Sequence, residues 1–380
     1  MKFSSKLPNV GTSIFSVMSA LAKECNAINL SQGFPDFNCD PKLLELTQKY
    51  TSQGFNQYAP MPGALSLREQ IAVLMQNCYG ASYHPETEIT ITAGATQGIY
   101  TALAAFLNKG DEVIVFEPAY DSYIPAIEVN GGIVRSIPLQ YPGFTIDWEL
   151  VKKTINEKTK MIVINSPHNP SGTTLSEEDL LTLEKLIFNK SIIVISDEVY
   201  EHMVFNGKPH QSVARFKSLA AQSIIVSSFG KTIHATGWKI GYVAAPKELM
   251  LEFRKVHQFL VFSVNHPFQL ALADYLKDDS IYKGLHHFYQ SKRDYFRKLI
   301  SSSRFEIEPC TGTYFQLLSY KNITEEKDTE FATRLTKEKG IAAIPLSVFY
   351  TQKTQQHLLR FCFAKKEETL ERAAEIICTL

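Results

Sequence analysis

The sequence has no surplus of either charge: 39 Lys and Arg residues stand against 39 Asp and Glu, a formal net charge of zero over 380 residues. Bulk attraction to nucleic acid or to an anionic membrane surface is missing, so neither is expected as a partner. Paired cysteines are missing too. Cys25, Cys39, Cys78, Cys310, Cys362 and Cys378 contain no CxxC spacing, which argues against a zinc site or a small disulfide framework and suits reduced thiols in a cytoplasm. No apolar run approaches the roughly 18 residues that span a bilayer. No long apolar stretch follows Lys2, Lys6 and Pro8, so neither targeting nor anchoring is expected and the location is read as cytoplasmic.

Three common chemical signatures are also absent. The ten histidines form no HExxH or other metal-ligand spacing, so no metal is expected. Gly230-Lys231-Thr232 ends like a phosphate-binding P-loop, but Ile225 occupies the place of its leading glycine. Gly94-Ala95-Thr96-Gln97-Gly98 has the wrong spacing for a dinucleotide-binding GxGxxG.

What is present is a composition typical of a folded protein, with 44% hydrophobic and 21% charged residues. Single cores stop growing at roughly 250 to 300 residues, so two domains are expected. Apolar, β-branched runs predict strands at 88–92, 112–116, 132–138, 161–165, 192–196, 223–228 and 240–244. Most are nearly all apolar, as strands covered on both faces are. Helix-like stretches at 96–108, 119–130 and 176–189 lie between them. The alternation predicts an α/β fold with a doubly wound, mostly parallel seven-stranded sheet, whose ligands sit beyond the carboxyl ends of its strands. A long helical region is expected from Lys247 to about Ile300. From Arg304 onward, strand-like 313–318 and 358–363 flank an amphipathic stretch at 329–339, which reads as a smaller α+β domain. Turn signals at 29–36, without a strand of the main sheet, assign the first residues to that domain or to a bridge. The expected division is 41–284 for the large domain and 1–40 with 285–380 for the small one.

Three polar clusters each follow an apolar strand: Asn165 to Gly172 (NSPHNPSG), Ser196 to Glu201 (SDEVYE) and Ser227 to Gly241 (SSFGKTIHATGWKIG). Taken singly, they read as a turn, a solvated strand end and a surface lysine. Taken in order, and with Ser31-Gln32-Gly33-Phe34-Pro35-Asp36, Asn56-Gln57-Tyr58 and Phe116-Glu117-Pro118-Ala119-Tyr120, the chain resembles the fold type I, class I/II aminotransferases that use pyridoxal phosphate. The likeness covers nearly the whole chain and points to the branch of kynurenine aminotransferase, glutamine transaminase K and the methionine-preferring enzymes.

The resemblance implies a role for each matched residue. Lys231 would carry the cofactor as a Schiff base and move a proton between substrate and cofactor, which requires a partly neutral amine. Asp197 would keep the pyridine nitrogen protonated. Tyr200 and Asn169 would donate to the ring oxygen, and Tyr120 would stack on the ring. Ala95 and Thr96, at a helix start, would bind the phosphate together with Ser228, Lys239 and, from a second subunit of a homodimer, Tyr58. Lys239 stands where most of the class carries arginine, a change shared by the kynurenine aminotransferase branch. Arg360, Asn169 and the backbone at Gly33 would hold the substrate carboxylate.

Phe15, Phe34, Tyr58, Tyr120 and Phe262 are expected around the substrate side chain, with no second arginine at the motif positions. Methionine, phenylalanine, tyrosine, glutamine or kynurenine is therefore expected as amino donor, and a 2-oxo acid as acceptor. A carbon–sulfur β-lyase acting on cysteine conjugates through the same cofactor is the alternative. A regulatory protein with a sensor domain of this kind would place a DNA-binding helix-turn-helix before it, for which residues 1–40 leave little room.

Overall fold

The computed structural model describes residues 4–352 and 354–380. A helix at Ile14–Glu24 leads into a two-residue strand, Ile28–Asn29 (β1). Seven strands then build the main sheet: Ile89–Thr92 (β2), Glu112–Glu117 (β3), Ile133–Pro138 (β4), Thr159–Asn165 (β5), Ile193–Asp197 (β6), Ser223–Ser228 (β7) and Gly241–Ala244 (β8). Their order is β2-β8-β7-β6-β5-β3-β4, with β8 antiparallel to both neighbours and the remaining pairs parallel. Every residue of β2, β3, β6 and β8 is buried, as helices on both faces require. Edge strand β4 is largely exposed instead.

The register of the sheet brings chemistry to one rim. Asn165 pairs with Asp197 across β5 and β6, and Ser228 pairs with Gly241 across β7 and β8. Three loops that open with polar groups therefore leave the sheet side by side, where a doubly wound sheet receives its ligand.

Several elements depart from the sequence reading. The helix predicted over 119–130 begins only at Tyr123 and ends at Val129, because residues 118–122 form a bend and turn. The 247–300 region is four helices, Lys247–Leu260, His266–Tyr275, Ser280–Lys283 and Leu285–Leu299. The first break, at 261–265, contains Phe262, whose φ is +64°. The second helix restarts with Asn265 as cap, its side chain accepting from the Phe268 amide, and with Pro267 in its first turn. The helix over 176–189 is shorter, Glu177–Ile187, and is closed by a Ser176–Asp179 capping box.

Past residue 300, Glu306–Ile307 (β9), Phe315–Ser319 (β10), Ile341–Ala342 (β11), Ile344–Pro345 (β12) and Leu358–Cys362 (β13) follow. A four-stranded antiparallel sheet has the order β12-β13-β10-β9. The N-terminal segment, expected to give no strand to the main sheet, contributes β1 outside it, paired in parallel with β11 through Ile28–Ile341 and Asn29–Ala342. Two residues are too few to show an alternating pattern in sequence.

Candidate active site

A cavity of about 270 Å³ lies beyond the carboxyl ends of β5, β6 and β7. Among its lining residues are Gly33, Ala95, Thr96, Tyr120, Asn169, Asp197, Tyr200, Ser228, Lys231, Lys239 and Arg360. The structure thus brings together every cofactor- and carboxylate-binding candidate from the sequence except Tyr58. That side chain is 81% exposed and meets Phe262 edge to face at 5.4 Å, outside this cavity. Phe34 and Phe262, expected near a substrate side chain, are also exposed and are not among the lining residues. Phe34 instead lies 4.9 Å from the Lys365 amine. Phe15 and Tyr120 do line the cavity, joined by Phe315, Ile99 and Val199.

Lys231 sits in the short helix Phe229–Thr232 that follows β7. Its amine donates to two neutral acceptors, the Tyr314 hydroxyl at 2.7 Å and the Gly33 carbonyl at 3.2 Å. Burial disfavours the ammonium and lowers its pKa to about 8, with Arg360 and Lys239 acting in the same direction. Asp197 ends β6 and is buried. One of its oxygens accepts from the Tyr123 hydroxyl at 2.5 Å and the other from the Val199 amide at 3.2 Å. Burial raises this carboxyl to about 6, against those hydrogen bonds and the nearby Lys231, which lower it.

Arg360 is 1% exposed in the middle of β13. Its guanidinium carbon lies 3.8 Å from the Phe315 ring centroid and 5.1 and 5.4 Å from those of Phe15 and Phe349. One terminal nitrogen donates to Asn169 Oδ1 at 2.6 Å and the other to the Ser31 carbonyl at 3.0 Å, while Nε has no partner. Five N–H donors in a planar fork leave three for an incoming anion. Burial is what lowers its pKa, to about 10, and it remains cationic at neutral pH. The Asn169 backbone is held in turn, its main-chain N–H donating to Asn165 Oδ1 at 2.8 Å.

A second feature suited to an anion also lines the cavity. The helix Ala95–Phe106 begins there, with Gly94 at its cap (φ 78°, ψ 170°). Helix N-termini present unpaired amides and the positive end of the helix dipole. Lys239, itself left-handed with φ 54°, reaches over this turn, so a Cβ on Gly94 would lie 3.1 Å from its Nζ. A Cβ on Gly241 would come within 2.5 Å of the Ser227 carbonyl and 3.1 Å of the Ala95 amide nitrogen. Gly241→Ala is expected to destabilise the fold by about 1–3 kcal/mol through overpacking. A lowered urea midpoint at unchanged m-value would register it, and an unchanged midpoint would refute the crowding.

Some contributing residues escape sequence reading. Tyr123, on Asp197, has no motif position. Tyr314 meets Lys231 across 83 residues of chain. Asp197 and Glu198, read singly as a solvated strand end, are buried, as is Glu201. Glu201 accepts from Ser227, Tyr79 and Tyr242, and Glu198 from Ser196, the Val213 amide and His210. The acid-rich cluster after β6 therefore anchors the sheet rim internally instead of facing water.

The family model for class I and II aminotransferases matches residues 26–377. The chain is 50% identical over 372 residues to a methionine aminotransferase of Escherichia coli, covering 98% of this chain and 96% of that protein. A crystal structure reported as an E. coli methionine aminotransferase superposes with a TM-score of 0.98 at 49% identity, with both chains fully covered. A kynurenine–oxoglutarate transaminase of Dictyostelium discoideum is 32% identical over 420 residues, covering 100% of this chain and 96% of that one. With a half-buried lysine, a buried carboxylate and a free arginine fork around one cavity, and a family match over nearly its whole length, this chain belongs to the class I and II aminotransferases and is a pyridoxal-phosphate-dependent transaminase.

Proposed function

We propose that the enzyme takes the amino group of an apolar, sulfur-containing or aromatic L-amino acid, of which methionine, phenylalanine, tyrosine, glutamine and kynurenine are the candidates, and passes it to a 2-oxo acid. The observation that carries this reading is the cavity wall. Its cations are Lys231, Lys239 and Arg360, and its remaining surface includes Phe15, Ile99, Val199 and Phe315. No second guanidinium among the lining residues offers an acidic side chain a bidentate partner. The names of the E. coli and D. discoideum relatives support the same substrate class.

The donor set fits the cofactor. An amine with only neutral partners, a helix start crowded by Lys239, and a carboxyl with one tyrosine behind it match an aldehyde, a phosphate and a pyridine nitrogen. Bound pyridoxal phosphate supplies a carbonyl that takes up the amino group and a ring that accepts the electrons left by the substrate α-proton. In this reading Lys231 would hold the cofactor covalently and then carry that proton on Nζ. Asp197 would keep the ring nitrogen protonated. Tyr200 and Asn169 would donate to the ring oxygen, and Tyr120 would pack against the ring. Ala95, Thr96, Ser228 and Lys239 would bind the phosphate. Arg360, with Asn169, would receive the substrate carboxylate.

The exposure of Tyr58 supports a homodimer in which it reaches the partner's phosphate. Six free thiols suit a cytoplasmic enzyme, and no helix among the described residues is long and apolar enough to cross a membrane. The division into 41–284 and 1–40 with 285–380 belongs to the same proposal, supported by the separate sheets.

A panel of amino donors tests the function. Methionine or an aromatic amino acid is expected to release one equivalent of its 2-oxo acid per enzyme site in the absence of acceptor. Turnover of aspartate alone would sink the substrate assignment. Pyruvate and ammonia from a cysteine conjugate would support the lyase instead.

A further inference from the structure

The resting place of the Lys231 amine depends on a residue that no motif marks. Nζ donates to the Tyr314 hydroxyl and to the Gly33 carbonyl. Tyr314 gives its own hydroxyl hydrogen to that same carbonyl, so its oxygen faces Nζ as an acceptor. The ring is fully buried, edge-on to Tyr200 at 5.1 Å and Phe315 at 4.9 Å and tilted against Tyr289 at 5.6 Å. The oxygen is thus held in place by packing. Burial also keeps the phenol well above its usual range, so it stays neutral wherever Lys231 titrates.

We propose that Tyr314 is the positioning residue for the Lys231 base: with the Gly33 carbonyl it occupies two N–H hydrogens of the free amine and leaves the third tetrahedral direction of Nζ for the cavity. This rests on the reading of Lys231 as the carrier of the α-proton. In the neutral amine that third direction holds the lone pair. When the substrate Cα–H bond breaks, its proton lands on this lone pair and its electron pair stays with the bound substrate. Nζ becomes an ammonium whose third N–H points where the proton is to be returned. An amine without two fixed acceptors would rotate, and the lone pair would meet the α-proton only in a fraction of encounters.

Tyr314→Phe tests this because it keeps the ring packing and removes only the oxygen. The holoenzyme variant is expected to lose about 30- to 100-fold in kcat with KM for the amino donor changed less than about 3-fold. The rate should become more sensitive to deuterium at the substrate α-carbon, since a poorly aimed base makes proton transfer limiting. A second readout is independent of turnover. Capture of pyridoxal phosphate by the cofactor-free chain, followed by absorbance against pH, should shift its midpoint below the amine's value of about 8, because a lost acceptor disfavours the ammonium.

A wild-type isotope effect, or an unmoved pH midpoint, would overturn the role whatever happens to kcat. Lys231→Ala separates the two readings. If that variant turns over normally, the assignment of Lys231 itself fails; if it is inactive while Tyr314→Phe behaves as wild type, only the role of Tyr314 fails.

Discussion

Replacing Lys231 with alanine is expected to lower transamination by at least about 10⁴-fold, since in the proposed role one side chain would supply both the covalent hold on the cofactor and the proton carrier. Borohydride should fix the cofactor to Lys231 in the wild type and leave the variant unlabelled. Full turnover by the variant would remove the mechanism. The titration of the amine gives the same residue a signature in stability. Unfolded, it holds its proton to its ordinary 10.5; folded, burial makes it release at about 8. Between those values the unfolded chain binds more protons, so stability of the cofactor-free protein should rise with pH across that window, and this contribution should vanish in Lys231→Ala. Asp197 has the opposite sign. Its folded value of about 6 lies above the ordinary 3.8, so its contribution is present below pH 4 and is lost as pH rises to 6. Denaturant unfolding at a series of pH values would separate the two.

Arg360→Ala should produce the second large loss, about 10²- to 10³-fold in kcat/KM for every amino donor, from removing the proposed desolvated partner of the carboxylate. The effect should be uniform across the donor panel, because all donors share the α-carboxylate and differ only beyond it. Part of the loss comes from what remains behind. Asn169 Oδ1 and the Ser31 carbonyl lose their donor, and the space between Phe15, Phe315 and Phe349 opens. Each orphaned buried acceptor costs about 1–3 kcal/mol, so a lower unfolding midpoint should accompany the kinetic loss. Arg360→Lys should recover little, since a single ammonium meets one oxygen where the guanidinium fork meets two. An unaltered response to amino-acid concentration in Arg360→Ala would remove the residue from the site.

Much of the main sheet was legible because its strands are apolar on both faces and end in turn-forming residues. The seven expected strands correspond to the seven of the main sheet, with ends shifted by two residues at most. The helix predicted over 119–130 failed at its start because apolar and aromatic spacing does not distinguish a helix from the bend that leaves Tyr120 in the cavity wall. Phe34 and Phe262 looked like pocket aromatics by type. Their exposure depends on which side of a turn each ring leaves, and Phe262 leaves from a left-handed residue.

Residue types in order carried the resemblance to the class I and II aminotransferases, and that resemblance implied the chemistry of an amine, a carboxyl, a phenol, an amide and a guanidinium, each just after or within an apolar strand. Which groups touch was decided only by the tertiary structure. The Lys231 amine meets Gly33 across 198 residues and Tyr314 across 83, and Arg360 meets Asn169 across 191. These partners arrive on different strands and loops, brought together when the main sheet and the β12-β13-β10-β9 sheet fold. Local periodicity records which face of its own element a residue occupies, and it carries no term for a contact made through another sheet.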